Sequence, residues 1–460
     1  MSVAARPSAC PGLLRIVPAR DGGICRIKLP GGVLLAAQAV ALGEASQHHA
    51  AGVIEVTNRA NLQVRGVRAG QEAALIAALV DAGLGPTPSP ALDDVQSGLG
   101  ASAADDVRNL MISPSAGRDP HALFDTRELA AQILAVLQGE PRFAALSPKF
   151  AVSLDGGERL AMLEHPHDVW LAARAADDGP RFVLGLAGCP PVTRHDAACT
   201  PALAEVRPSQ VPAVVKALLH TFLDLAAPDH TRMRHLLALH PVQAVLQRAQ
   251  SYLDFPLSHE PALAGWRRAP ADASLRFGAH PQREADMWQV GGQPPLGRMD
   301  AATLLALAAL ANDAGNGALH MTPWQSVLLP DVVAEALPYV LARFQAAGLA
   351  CDRAEPLARL IACAGSSGCI KGLADTKADA LRLAALLPAH VEQVHLSGCP
   401  RSCAAAHRAP YTLLAAQAGR YDLYRRDDGE PGFGRCVARH LTIEQAADAL
   451  ARLARSPFDA

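Results

Sequence analysis

Aromatic side chains are scarce in this chain. Phe, Trp and Tyr make up only 4% of its 460 residues although half are hydrophobic, so Ala, Leu and Val must fill most of any core. No stretch approaches the roughly 20 apolar residues that a helix needs to cross a bilayer. The opening MSVAARPSACPGLLRIVPAR lacks the apolar core of a secretory leader. A formal net charge of only -2 gives no broad electrostatic reason to bind nucleic acid. Ten cysteines over this length are too few for a small disulfide-stapled scaffold. The expectation is a cytoplasmic protein of roughly two to four folded units, with neither membrane nor nucleic acid as a partner.

What is present concentrates near the end. Cys363 and Cys369 stand in CAGSSGC, and Cys399 and Cys403 in CPRSC, with 29 residues between the pairs. Two close pairs of soft thiolates suit an iron–sulfur cube. Gly365 and Gly368 make the first loop supple, while Gly398 and Pro400 frame Cys399. A strand is expected to turn there into a helical start at Ala404–His407. Backbone N–H groups at such a turn can bond to sulfur and moderate cluster charge. Tetrahedral zinc uses the same ligands, and four unrelated buried thiols are the remaining reading. Cys10, Cys25, Cys189, Cys199, Cys351 and Cys436 read as buried apolar filler.

The chain echoes itself. Near the start, ICRIKLPGG, a helical stretch from Leu34 to about Ala51 and VIEVTNRANLQVRGV read as strand, helix and strand. Downstream, DAATLLALAALANDAG and ALHMTPWQSVLLPDV read as helix, strand, turn and strand. Placing Thr57 over Thr322 aligns the two segments without a gap, Gly52 falling on Gly317. A second echo sets Gly188-Cys189-Pro190 over Gly398-Cys399-Pro400. Duplication of a two-part unit, over about residues 10–240 and 285–455, is the expectation. Polar, Pro-rich sequence at Ser258–Pro295 marks the boundary between copies, and Gly83–Gly100 is a second turn-rich passage. Further helices are predicted at Thr126–Gln138, Pro212–Ala226, Asp300–Ala314 and Ile443–Ala454, the last opened by Thr442 with Gln445 three positions on.

These motifs carry a resemblance. CPGLLRIVPARDGGICRIKLPGG, TNRANLQVRG, RNLMISPSAG, SPKF, TRMRHLL and the cysteine quartet resemble the nitrite/sulfite reductase superfamily and, within it, the precorrin-3B synthases. The resemblance implies an α/β (α+β) fold of duplicated nitrite/sulfite reductase-like architecture. Its units would be ferredoxin-like half-domains at 1–80 and, with the connector, 258–350, and αβ domains at 81–257 and 351–460. It implies a [4Fe–4S] cluster on Cys363, Cys369, Cys399 and Cys403. It further implies oxygen-dependent conversion of precorrin-3A to precorrin-3B, by C20 hydroxylation and γ-lactone formation in aerobic cobalamin biosynthesis, with mononuclear non-heme iron and NADH as electron source. The alternatives are a siroheme-dependent sulfite or nitrite reductase and a non-enzymatic tetrapyrrole- or cluster-binding protein. Arg401 stands where many siroheme reductases have asparagine.

A tetrapyrrole of either kind is fringed with carboxylates. Arg26, Arg59, Arg65, Arg108 and Lys149 sit in or beside the motifs, and guanidinium forks bind carboxylates through paired charge-assisted bonds. Strand alternation places Arg59, Asn61, Gln63 and Arg65 on one face. His320 and Trp324 fall on Glu55 and Arg59 in the echo, so one substrate pocket per chain is expected. His395 is a local polar group near the cysteines, while His48 and His49 belong to an exposed helix end. Neither LPGGVLLAAQAVALG nor QSGLGASAADD forms a dinucleotide-binding loop, so a separate reductase is an alternative electron donor to NADH.

Overall fold

The computed structural model describes residues 10–86, 100–192, 199–259, 261–405, 407, 409–427, 430 and 432–455. Residues 1–9 of the opening segment and most of the Gly83–Gly100 passage lie outside them.

Four five-stranded sheets form two matched pairs among the described residues. One antiparallel sheet runs in the order Val17–Ala19, Gly22–Ile27, Leu62–Val67, Val53–Val56, Arg298–Asp300. Its mate runs Gly278–Pro281, Met287–Gly292, Val327–Val333, Ala318–Met321, Val33–Leu35. The last strand of each comes from the other copy, with Met299 opposite Ile54 and Leu34 opposite Leu319. The helices that follow the exchanged strands, Ala36–His49 and Ala301–Ala314, pack on each other and close one shared core. Gly43 costs helix propensity, yet a Cβ there would stand 3.1 Å from Leu305, so it permits the close approach. Glycine is also required at Gly32, whose φ is +74° and whose Cβ would lie 2.2 Å from the Met321 carbonyl oxygen.

The Thr57–Thr322 alignment describes two equivalent hairpin turns. Thr57 N donates to Asn61 O at 2.8 Å and Thr322 N to Ser326 O at 2.9 Å. The threonine hydroxyl in each accepts from the residues two and four positions on. Ala60 and Gln325 share a left-handed φ of 55° and 65°.

The second pair of sheets begins with three parallel strands and ends with two antiparallel ones. In the first copy these are Leu110–Met111, Val152–Asp155, His167–Arg174, Arg181–Gly188 and Ala204–Val206. In the second they are Leu360–Ala362, Val394–Ser397, Tyr411–Gln417, Arg420–Arg425 and Arg435–Leu441. Leu110 faces Val152 as Leu360 faces Val394. That register makes Ser113 equivalent to Cys363 and Gly157 equivalent to Cys399.

The Gly-Cys-Pro echo is therefore corrected. Cys189 follows the fourth strand of its sheet in chain order, whereas Cys399 follows the second. An apolar strand stopped by glycine and proline is too common a local pattern to track position. A more faithful echo is Asp125-Thr126-Arg127 against Asp375-Thr376-Lys377, which open equivalent helices at Arg127–Gly139 and Thr376–Ala384. The helical start at Ala404–His407 is corrected as well, since its described residues form bends. Ser402 has a φ of +50° and its hydroxyl donates to Ala405 O, closing a turn instead. The Ser258–Pro295 boundary contains the first two strands of the second ferredoxin-like sheet, Gly278–Pro281 at its edge and Met287–Gly292 next to it. Helices Arg127–Gly139, Val211–Leu225, Ala301–Ala314 and Ile443–Arg455 agree with expectation. Thr442 and Gln445 exchange cap bonds at 2.9 and 3.3 Å.

The first copy fills the space that the second keeps for its cysteines. Gly156 N donates to Glu158 Oε2 at 2.9 Å, where the equivalent Gly398 N faces Cys363 Sγ at 3.2 Å. Asp155 beside it holds Arg268 in two bonds of 2.6 and 3.0 Å. Burial, then Asp155, pushes the Glu158 carboxyl up to about 8. Removing one partner of a buried pair strands the other's charge. Arg268→Met is therefore expected to lower the unfolding free energy by about 3–5 kcal/mol in urea titrations at neutral pH.

Candidate functional site

One large cavity lies where the first ferredoxin-like sheet meets the loops of the second αβ domain. Its volume is about 1120 Å³, above the roughly 300–1000 Å³ of ordinary small-molecule pockets. Eleven of its described lining residues are Lys or Arg, and Glu55 supplies the single carboxylate. Such a wall calls for a ligand carrying several negative charges.

Arg26, Arg59, Asn61, Gln63, Arg65 and Lys149 all line this cavity. With its amide turned, Gln63 accepts from Arg26 Nε at 3.0 Å and from its terminal nitrogen at 2.7 Å. Asn61 is held by Leu29 N at 2.9 Å. Burial pushes the Arg59 guanidinium down to about 10, with Arg232 and then Arg26 adding repulsion. Arg65 is already committed to protein partners. It binds both oxygens of Asp21 at 2.8 Å and donates to Gly368 O at 2.7 Å, latching the sheet to the cysteine loop. Arg108 stands outside the cavity, its guanidinium spent on Asp105 and on the carbonyls of Lys28, Leu84 and Gly85.

Glu55 anchors the floor. Its carboxylate meets Arg298 at 2.7 Å, Lys377 at 3.6 Å and Arg65 at 3.6 Å. Burial opposes ionisation, but Lys377, Arg65 and Arg298 outweigh it and hold the carboxyl below its usual range. Lys377 Nζ also donates to Leu296 O at 2.8 Å and Ala362 O at 3.3 Å, immediately before Cys363.

Cys363, Cys369, Cys399 and Cys403 all line the same cavity, and none is in a disulfide. The backbone is drawn tightly around Cys363. A Cβ on Gly365 would lie 2.6 Å from Thr376 N, one on Gly372 2.5 Å from Gly365 C, and one on Gly398 3.4 Å from Cys363 Sγ. Gly398 N donates to that sulfur, and Thr376 Oγ1 lies 3.5 Å from it. Partial burial, then Cys399, Cys363 and Cys369, push the Cys403 thiol up. Among the described residues no three His, Cys, Asp or Glu side chains form a single-ion group. A cubane spreads its thiolates over four irons, so its ligands stand farther apart than those of one tetrahedral ion. Four thiols lining one cavity are the donor set such a cluster takes.

Of the other six cysteines, Cys25, Cys189 and Cys351 are buried, while Cys10, Cys199 and Cys436 are only partly so, and Cys10 lines the cavity.

Several lining residues escaped the sequence reading. Lys28 directly follows the strand Gly22–Ile27 and stands two positions after Arg26, the spacing that would have pointed to it. Arg232 belongs to the TRMRHLL motif, and its Nε is 2.9 Å from both oxygens of Asp168. His165 and His407 line the wall beside the expected His395, and each of the three has a buried ring nitrogen with no hydrogen-bond partner among the described residues. Burial, then His407, holds the His395 imidazole down to about 3, so it is neutral at ordinary pH. In the other copy Trp324 is buried with Met111, Leu160, Met162 and Leu328, and apolar side chains surround the position equivalent to Arg59.

Comparison with known proteins agrees with this architecture. The Nitrite/Sulfite reductase ferredoxin-like half domain matches residues 17–82 and 280–347. The Nitrite and sulphite reductase 4Fe-4S domain matches residues 103–257, the copy without the cysteine quartet. The ferredoxin–nitrite reductase of Zea mays chloroplasts is 31% identical over 401 residues, covering 82% of this chain and 67% of its own length. The chain belongs to the nitrite/sulfite reductase family. The ferredoxin–nitrite reductase of Synechococcus elongatus is 29% identical, covering 86% of this chain and 76% of that one. A precorrin-3B synthase of Sinorhizobium sp is 27% identical, covering 90% and 82% respectively. The Mycobacterium tuberculosis NirA structure shares the fold, with a TM-score of 0.75 at 23% identity over 94% of this chain and 80% of that one. Family membership makes the protein an oxidoreductase-type enzyme. Among the described residues no helix is long and apolar enough to cross a membrane.

Glu55→Gln removes the one anion shared by three cations. A loss of about 3–5 kcal/mol in unfolding free energy is expected, measured by urea titration at pH 7. The folded carboxyl is depressed, so its stabilisation is complete above the unfolded value of about 4.3 and is lost as pH falls towards the folded one. The wild-type advantage over the variant should therefore shrink in titrations at pH 4 and below.

Proposed function

We propose that this chain is a cluster-dependent oxidoreductase that holds an acid-fringed tetrapyrrole against Cys363, Cys369, Cys399 and Cys403. The observation that carries this reading is the meeting of eleven cations, one carboxylate and four thiols in a single large cavity. A [4Fe–4S] cluster, when bound, would supply single electrons at the cavity floor. Arg26, Arg59 and Lys149 offer charge-assisted bonds to the macrocycle's carboxylates and so fix its orientation. Lys377 donates to Ala362 O at 3.3 Å and so places an ammonium group beside the start of the first cysteine loop. Neutral His395 and His407 present imidazole nitrogens that hydrogen-bond without adding charge.

The tetrapyrrole can be cofactor or substrate. The relatives back the cofactor reading more broadly: siroheme-dependent reduction of nitrite or sulfite, with electrons from a ferredoxin-like donor. A second reading, precorrin-3B synthase, makes precorrin-3A the substrate, with molecular oxygen as oxidant and electrons from NADH or a partner reductase. Two observations favour it. Arg401 adds bulk and charge beside Cys399 and Cys403 in the cavity wall, and the Sinorhizobium protein matches over most of both chains.

Anaerobically purified protein is expected to carry about four irons and four sulfides per chain, and Cys363→Ser to lose them. Zinc without iron would overturn the proposal. Siroheme absorption with six-electron reduction of nitrite or sulfite selects the first reading. Oxygen-dependent conversion of precorrin-3A by protein free of siroheme selects the second. In either case titration should saturate at one tetrapyrrole per chain, because the equivalent position in the other copy is filled by Trp324. Arg59→Ala should weaken that binding by about tenfold or more, measured by fluorescence quenching.

A further inference from the structure

Lys28 is a buried cation on the cavity wall, 3% exposed, with no carboxylate of its own among the described residues. Its ammonium donates to the backbone oxygen of Asp106. The acids packed nearest are spent elsewhere. Both oxygens of Asp106 bind Arg15, at 2.8 and 2.9 Å. Asp105 accepts from Leu13 N at 3.0 Å and from Arg108 at 3.3 Å. Two positions earlier in the chain, Arg26 adds like charge, and Lys149 lines the same cavity. A lysine so placed is costly to keep charged unless an anion arrives from the cavity side.

We propose that Lys28 is a carboxylate-binding residue of the cavity that takes up a proton from solution when an acidic side chain of the tetrapyrrole docks on it. The inference rests on the tetrapyrrole reading above and adds to it a residue and a linked proton. Burial pushes the Lys28 ammonium down to about 7, against the pull of Asp105 and Asp106, with Arg108 and Arg26 adding repulsion. An opposing carboxylate at contact distance reverses that balance and restores the charged form. The free protein then holds Lys28 largely neutral at pH 8 and largely charged at pH 6, while the complex holds it charged at both. Uptake therefore approaches one proton at the higher pH and fades at the lower. Affinity weakens by up to about tenfold per pH unit above 7.

The test is calorimetric titration of the full, cluster-loaded chain, prepared free of siroheme, with uroporphyrin III, a tetrapyrrole carrying acetates and propionates, in buffers of differing ionisation enthalpy. Wild type is expected to take up close to one proton near pH 8 and little near pH 6. Lys28→Arg, permanently charged, should bind without uptake, and Lys28→Met should bind about tenfold more weakly, also without uptake. Undiminished uptake in Lys28→Met, or wild-type binding with no uptake near pH 8, would overturn the assignment. Absence of binding in the wild type would overturn the tetrapyrrole reading itself, and the assignment with it.

Discussion

The structure turns on one buried carboxylate. Glu55 lies on a strand of the first ferredoxin-like sheet, and its three cations come from three places: Arg65 on the neighbouring strand, Arg298 on the strand exchanged from the second copy, and Lys377 on the helix after the first cysteine loop. Each would be costly to bury without an anion. Shared among them, one carboxylate fixes the sheet, the exchanged strand and the cysteine-bearing domain in one geometry. Arg65 extends the joint to Asp21 and Gly368, and Asn58 reaches Cys403 O at 3.2 Å, so the basic wall and the thiols are set as one unit.

Duplication explains the frame, and divergence explains why the site is single. Equivalent turns at Thr57 and Thr322 and equivalent sheet registers show that both copies keep the same backbone. The chemistry separates them. Cys363 and Cys399 face Ser113 and Gly157 across the repeat, and the vacated loop is occupied by Glu158, Asp155 and Arg268. His320 replaces Glu55 and bonds to Pro114 O at 2.7 Å, while Trp324 joins an apolar plug where Arg59 would stand. The exchanged strands keep the plain copy indispensable, since Val33–Leu35 completes a sheet of the second copy and Arg298–Asp300 one of the first.

Much of this was legible because it is local. Alternation holds for Gln63 and Arg65 on the strand Leu62–Val67, whereas Arg59 and Asn61 reach the same cavity from the Thr57 turn, where the backbone is not extended. Cysteine spacing brought four thiols to that cavity. What failed was position in three dimensions. Gly-Cys-Pro follows non-equivalent strands at Cys189 and Cys399, because a strand end carries no record of its place in a sheet. Arg108 sits in a motif yet points into a knot of backbone carbonyls, a fate that residue type does not reveal. The strand exchange was equally hidden, since Val33–Leu35 reads as the start of a helix until its partner from the other copy is known.

The cavity's charge is the last consequence of this plan. Some of its cations are neutralised within the chain: Arg65 by Asp21 and Glu55, Arg232 by Asp168. Others meet neutral groups among the described residues, Arg26 an amide, Lys28 and Arg20 backbone carbonyls. A core optimised for stability alone would not hold them so, because unpaired charge in a half-enclosed space raises the energy of the folded state. A polyanion that binds only the folded chain removes that repulsion and stabilises it by mass action. The cations that repel one another across this cavity thus set the minimum charge that a ligand seated in it would have to carry.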